Sequence, residues 1–215
     1  QLFKFVFSSS PPPSSSSFLL LLLLLLLLFF LAIAIIIIII FLFPLSFFVD
    51  PRFGRHQEGY SPDPTLSAHL AHAAVLGVQG SVTGNATTYL CDAPPATCSN
   101  AVSLAKHFAG YGAPAGGLNG ATTDVDERTI FDWYLKPWKA FAKAGGRGIM
   151  TSHNTLLGVP MHANTYLVRD VMRGRYGFGD GVVVSDASDV KVLTLYRVAA
   201  NLTHACAIAI NGESQ

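Results

Sequence analysis

Gly181-Val182-Val183-Val184-Ser185-Asp186 is a short β-branched run entered from a glycine and closed by a carboxylate. A run of this kind reads as a fully buried strand of a parallel sheet. In barrels of parallel strands, side chains at the C-terminal strand ends face the active-site mouth, which makes Asp186 a candidate catalyst or ligand. The same stretch also fits a helix start, with Asp186 or Ser188 as the N-cap.

The segments before and after this run alternate in period. Ser67 to Val78 is helical in pattern, with Leu70, Ala71, Ala74, Val75 and Val78 at helical spacing. Ala101 to Phe108 is a short apolar segment carrying Lys106-His107, and the Gly/Ala-rich loop Gly110 to Ala121 follows. Glu127 to Ala144 predicts a long amphipathic helix with Ile130, Tyr134, Trp138 and Phe141 on one face, kinked or split by Pro137. Gly148 to Ser152 is strand-like, Tyr166 to Arg173 helix-like and stopped at Gly174, and Val190 to Ile210 reads as a final helix. Alternation of this kind argues for a parallel α/β architecture with right-handed crossovers. A closed barrel of eight such units needs about 250 residues. The 165 residues from Pro51 to Gln215 hold fewer units than that. The expected fold is therefore α/β, a partial (β/α)8 TIM-type barrel of roughly four βα units, preceded by a low-complexity, highly hydrophobic segment.

Average composition hides that division. Residues 1–17 form a Ser/Pro-rich, low-complexity leader. Residues 18–49 are a hydrophobic segment, in which Phe18 to Phe43 is 26 residues without a charge, and residues 50–215 look like an ordinary soluble domain. The hydrophobic segment is long enough to span a bilayer as a signal anchor, which would place the protein on a membrane through residues 18–43. Its near-pure Leu followed by near-pure Ile fits a homopolymer translated from repetitive DNA as well. Lys4 on one side and Arg52 and Arg55 on the other leave orientation open. Cys91 and Cys98 flank a turn-prone insert that could close a small disulfide loop, with Cys206 left over. Asn85-Ala-Thr87 matches the N-glycan acceptor pattern in a loop-like stretch, whereas Asn201-Leu-Thr203 falls inside the expected final helix. These features lean towards a secreted or membrane-anchored protein. A formal net charge of +1 and the lack of a Lys/Arg cluster argue against a nucleic-acid partner.

Five motifs in order carry a resemblance to a known family. They are Pro51-Arg-Phe-Gly-Arg-His-Gln-Glu-Gly-Tyr-Ser-Pro-Asp-Pro64, Lys106-His107-Phe108, Glu127-Arg128-Thr129, Met150-Thr-Ser-His-Asn154 with Gly158-Val-Pro160, and Val184-Ser-Asp186. Together they resemble the N-terminal catalytic domain of glycoside hydrolase family 3, over essentially everything from Asp50 onward. The resemblance implies hydrolysis of terminal, non-reducing β-D-glycosidic bonds with retention, of the β-glucosidase or β-xylosidase type. The substrate would be an oligo- or polysaccharide or another β-glycoside, without cofactor or metal. It implies Asp186 as the nucleophile, which must be ionised to attack. Lys106 and His107 match residues that bind sugar hydroxyls, and Arg55 matches a sugar-contacting arginine, with Glu58 as its partner or a loop brace. His153 stands where many members carry a tyrosine that touches nucleophile and substrate. Ala187 replaces a common tryptophan, so a smaller or differently shaped subsite is implied, a xylose-type sugar among the options.

Other constellations read as structural. Asp189 is expected to cap the helix that follows it, and Trp133, Trp138 and Phe141 to pack in the core or against the barrel. His69 and His72 share helical spacing but lack an evident third ligand, so no metal site is expected. Ser152 and His153, adjacent on a strand, point to opposite faces and form no nucleophilic pair.

The chain also departs from the family pattern. The homopolymer block stands where the family's first strands belong, and the acid/base of most members lies in a domain beyond the barrel. On that basis the acid/base is absent and the chain is expected to be a fragment with little or no turnover. Two alternatives are a membrane-anchored, non-catalytic sugar-binding remnant and a mistaken gene assembly without function.

Overall fold

The protein's structure, a computed structural model, describes residues 41–44, 50–79 and 101–213, all within one compact unit spanning 40–215. In chain order its principal elements are β1 (Phe41–Pro44), α1 (Pro64–Gln79), β2 (Ser103–Phe108), α2 (Lys136–Lys143) and β3 (Gly148–Thr151). The hairpin β4 (Thr155–Leu156) and β5 (Val159–Pro160) follows, then a wide π-type helix Tyr166–Arg175. Strand β6 (Val182–Val184) and helices α3 (Asp189–Leu195) and α4 (Leu202–Glu213) complete the described chain.

Strands β1, β2, β3 and β6 form one four-stranded sheet in that order, and each neighbouring pair is parallel. Leu104 lies opposite Gly148, and Ile149 opposite Val183. Strands β2 and β3 are almost wholly buried, as parallel strands covered on both faces must be. One irregularity interrupts the ladder. Lys106 pairs with Met150 and Phe108 with Thr151, so His107 is an extra residue on β2, a bulge next to the strand end.

Local chemistry sets the helix ends. Asp63 caps α1 through Oδ1, which accepts the Thr65 and Leu66 N–H groups at 2.6 and 2.8 Å, with Pro64 in the first helical position. Ser67, Ala71, Val75 and Gln79 form its buried stripe, one residue per turn, and α1 lies against α2. Gln79 then ties three elements together. Its amide donates to Gly145 O at 2.8 Å, and its carbonyl accepts the Ser103 N–H at 3.0 Å.

The core gathers Phe108, Ile130, Leu135, Trp138, Phe141, Ile149, Leu167 and Met172 around β2 and β3. The expected helix Glu127 to Ala144 is split, as Pro137 foretold. A single turn Glu127–Thr129, capped by Asp126, passes into a π-turn Ile130–Tyr134 before α2 starts with Pro137 in its first turn. Trp138 and Phe141 are core residues, but Trp133 is 49% exposed, which corrects its assignment to packing. The π-turn re-phases the helix, and Trp133 falls on the outer side.

Three further expectations need correction. Strand β6 is not buried on both faces, since Val182 is 59% exposed and Val183 and Val184 are intermediate. It pairs only with β3 and ends the described sheet. The single helix Val190 to Ile210 is two helices separated by Arg197 at φ 57°, and α4 restarts where Asn201 Oδ1 accepts the His204 N–H at 2.9 Å. Asn201 is thus an exposed cap, outside any apolar helical run. The hydrophobic segment 18–43 ends in sheet, because Phe41–Phe43 belong to β1 and aromatic residues suit a strand.

Residues 1–40, with the leader and most of that segment, lie outside the described residues, as do Asn85, Cys91 and Cys98. Among the described residues no helix is long and apolar enough to cross a membrane. Cys206 is an exposed free thiol.

Two glycines are required by close approach. A Cβ on Gly146 would lie 2.2 Å from the Phe141 ring, and one on Gly181 2.2 Å from the Phe178 ring, both rings being buried. These glycines lead into β3 and β6. Gly181→Ala should therefore displace a core ring and destabilise the fold by about 1–3 kcal/mol. Urea unfolding monitored by circular dichroism would read this as a lower midpoint.

Candidate active site

Parallel strands deliver their C-terminal ends to one edge, and the polar residues singled out in the sequence meet there. Lys106 and His107 end β2, His153 follows β3, Asp186 follows β6, and Arg55 comes from the loop before α1. The bulge at His107 explains how two consecutive residues serve one site, since a bulge re-aims a side chain that regular alternation would send away.

Asp186 is the centre of the cluster. Its Oδ2 lies 3.1 Å from His153 Nε2 and 3.4 Å from His107 Nε2, and Oδ1 accepts the Ala187 N–H at 2.6 Å. Oδ2 is buried and lacks a hydrogen bond of good geometry, although His153 is within ion-pair distance. Arg55 forks onto Glu58, with Nε to Oε1 at 2.6 Å and Nη2 to Oε2 at 2.7 Å, and its Nη1 donates to the Tyr111 hydroxyl at 2.6 Å. Lys106 Nζ reaches the same Glu58 carboxylate at 3.3 Å. Glu58 thus braces both cations.

Charge states follow from these contacts. The Arg55 hydrogen bonds, helped by Lys106, hold the Glu58 carboxyl down at about 2. Burial, reinforced by Arg55 and Lys106 and opposed by Asp186, lowers His107 to about 3, so it is a neutral imidazole offering directional hydrogen bonds. Its ring packs 4.6 Å from that of Tyr111, over which Arg55 stacks at 5.2 Å. Burial pushes the Tyr111 phenol up to about 12, and it remains a donor, to Asn119 Oδ1. His153 is shifted the other way, upward, chiefly by its hydrogen bond to Asp189.

Residues 45–211 match the glycosyl hydrolase family 3 N terminal domain. The chain belongs to glycosyl hydrolase family 3. It is 36% identical to a β-xylosidase of Formosa agariphila over 163 residues, which is 75% of this chain and 21% of that protein. A periplasmic β-glucosidase of Salmonella typhimurium is 33% identical, over 75% of this chain and 19% of its own length. The chain thus spans about a fifth of the length of the curated relatives it matches. Among solved structures, a β-glucosidase of Erythrobacter marinus superposes with a TM-score of 0.70 at 34% identity, over 79% of this chain and 21% of that one. The Listeria innocua β-glucosidase in complex with glucose gives 0.67 at 32% identity, over 80% and 22%.

All five residues chosen from the sequence of this family 3 domain lie together: Arg55, Lys106, His107, His153 and Asp186. Sequence reasoning overlooked Tyr111 and Asn119, which sit in the Gly/Ala-rich loop after β2. An aromatic hydroxyl one turn beyond Lys106-His107, in a loop at a strand end, was the available signal. Asp189 was misread. The helix cap is Ser188, which makes no side-chain cap bond, and Asp189 is buried with its Oδ1 2.6 Å from His153 Nδ1. Among the described residues no cluster of His, Cys, Asp or Glu could hold a metal.

The brace makes acid sensitivity testable. Glu58 is held near 2 when folded against an ordinary 4.5, so its contribution is full above 4.5 and is lost as pH falls towards 2. Wild type should unfold at higher urea than Glu58→Gln at neutral pH, and the gap should close between pH 4.5 and 2. Paired unfolding curves across that range check it.

Proposed function

We propose that this domain is the part of a retaining β-glycosidase that binds the terminal sugar and supplies the nucleophile, Asp186. The observation that carries the reading is the surrounding of Asp186: a carboxylate at a strand end, 3.1 Å from His153 and 3.4 Å from neutral His107. The activities named for the relatives, β-xylosidase and β-glucosidase, support the same class. On this reading the four-stranded parallel sheet is part of a (β/α)8 barrel, whose C-terminal strand ends hold the catalytic groups.

Roles follow from chemistry. Asp186 attacks the anomeric carbon, the glycosidic C–O bond breaks, and the electron pair leaves with the aglycone oxygen. Lys106, His107 and Arg55 bind hydroxyls of the sugar, with Glu58 keeping both cations in place and Tyr111 supporting Arg55. Retention requires a second carboxyl about 5–5.5 Å from the nucleophile as acid/base. Among the described residues none is assigned that role, because Glu58 is locked between Arg55 and Lys106 and Asp189 is buried against His153.

A substrate whose leaving group needs no proton isolates the nucleophile. The full chain is mixed with 2,4-dinitrophenyl 2-deoxy-2-fluoro-β-D-glucoside and, separately, the matching xyloside. The expected result is a stoichiometric burst of dinitrophenolate and a glycosyl adduct on the peptide holding Asp186, absent from Asp186→Ala. The faster of the two sugars names the subsite preference. Glucose or xylose binding by calorimetry, without any burst, would overturn the enzymatic reading in favour of a sugar-binding domain.

A further inference from the structure

Asp189 is a buried carboxylate, 4% exposed, that the family motifs do not account for. It stands in the first turn of α3 but caps nothing. Its Oδ1 is 2.6 Å from His153 Nδ1, and its Oδ2 is buried without a hydrogen bond, 3.6 Å from His162 Nε2. His162 does not supply the missing charge. Its Nε2 is 2.6 Å from Thr151 Oγ1, a hydrogen bond that engages this nitrogen away from Asp189, whose Oδ2 is 3.6 Å off. Burial, its first cause, keeps His162 below the ordinary histidine range. His153, 2.6 Å from Oδ1, is therefore the group placed to compensate Asp189, and a buried charge needs a partner.

The other nitrogen of the same ring faces Asp186, with Nε2 3.1 Å from Oδ2. Protonated at both nitrogens, His153 bridges two carboxylates. Neutral, it keeps the proton on Nδ1 for Asp189 and turns a lone pair towards Asp186. Its other neighbours are the Tyr111 ring at 5.8 Å, the Arg55 cation, which opposes its protonation, and His162.

We propose that Asp189 is a positioning residue: it orients His153 so that Nε2 faces Asp186, and so couples attack by Asp186 to the proton on that nitrogen. This rests on Asp186 being the nucleophile. In the glycosylation step the Asp186 oxygen forms the bond to the anomeric carbon while the bond to the leaving oxygen breaks, its electron pair departing on dinitrophenolate. The carboxylate becomes a neutral ester. His153 then keeps Asp189 but loses Asp186 as an anionic partner, and its Nε2 proton is released to solvent. By linkage, a proton held more tightly before the step than after it slows the step while it is bound. Labelling by the fluoroglycoside should therefore accelerate as pH rises through the titration of His153, and in Asp189→Asn this rise should move to lower pH.

The decisive readings are the pH profile of the dinitrophenolate burst for wild type and Asp189→Asn, and nitrogen NMR of histidine-labelled wild-type chain before and after labelling. The His153 signal is assigned by its loss in His153→Gln. Expected are two protonated nitrogens on His153 at neutral pH in free wild type, loss of the Nε2 proton in the labelled chain, and the downward shift of the profile in the variant. Superimposable profiles, or a His153 that titrates alike in free and labelled chains, would overturn the proposal. If Asp189→Asn does not fold, the wild-type NMR comparison alone decides. If no chain is labelled at Asp186, the nucleophile reading fails. The tie between Asp189 and His153 then stands only if free His153 is doubly protonated at neutral pH.

Discussion

Everything at the site depends on the four strands running in one direction. A parallel sheet sends every strand's C-terminal end to the same edge, so residues at the end of β2 and just after β3 and β6 are neighbours in space. The interior of the sheet is apolar and covered, which leaves that edge as the place where polar side chains can gather. Lys106, His107, His153 and Asp186 are 80 residues apart from first to last, yet they share one cluster. The bulge at His107 adds the local adjustment, allowing two successive residues of β2 to contribute to it.

Charge compensation then gives each carboxylate a separate fate. Glu58 is saturated by Arg55 and Lys106, and it serves to hold them. Asp189 is buried and answered by His153. Asp186 has one oxygen on the Ala187 N–H and the other facing two imidazoles, one neutral and one shifted towards protonation. Three carboxylates within one site are thus placed in different electrostatic settings by their surroundings. Breaking any of these pairs would leave an unpaired charge in a half-buried place, which is costly.

Periodicity and turn chemistry read the helices and central strands well, because α1, β2, β3 and the split at Pro137 follow from local rules. The failures have physical causes. Val182 to Val184 has the composition of a buried strand, but exposure depends on how many neighbours the strand has, and here it has only β3. The hairpin β4–β5 went unseen because Leu157 and Gly158, both at positive φ, turn the chain in two residues, and a leucine carries no turn signal. Val190 to Ile210 offered a continuous helical pattern, whereas Arg197 in the left-handed region breaks it.

The order of motifs in the chain by itself determined the family, the parallel α/β class and the identity of the five polar residues that gather at one edge of the sheet, since those depend on residue type and spacing. Only the tertiary structure decided which charge each of them meets. Asp189 shows why. Its position three residues after Asp186 fits a helix cap in any local reading, and burial against His153 comes from where α3 sets it, beside the loop that follows β3. Tyr111 and Asn119 likewise join the site because a loop folds back over Arg55. Contacts between residues distant in sequence leave no local trace, so the electrostatics of the site could be read only once the chain was folded.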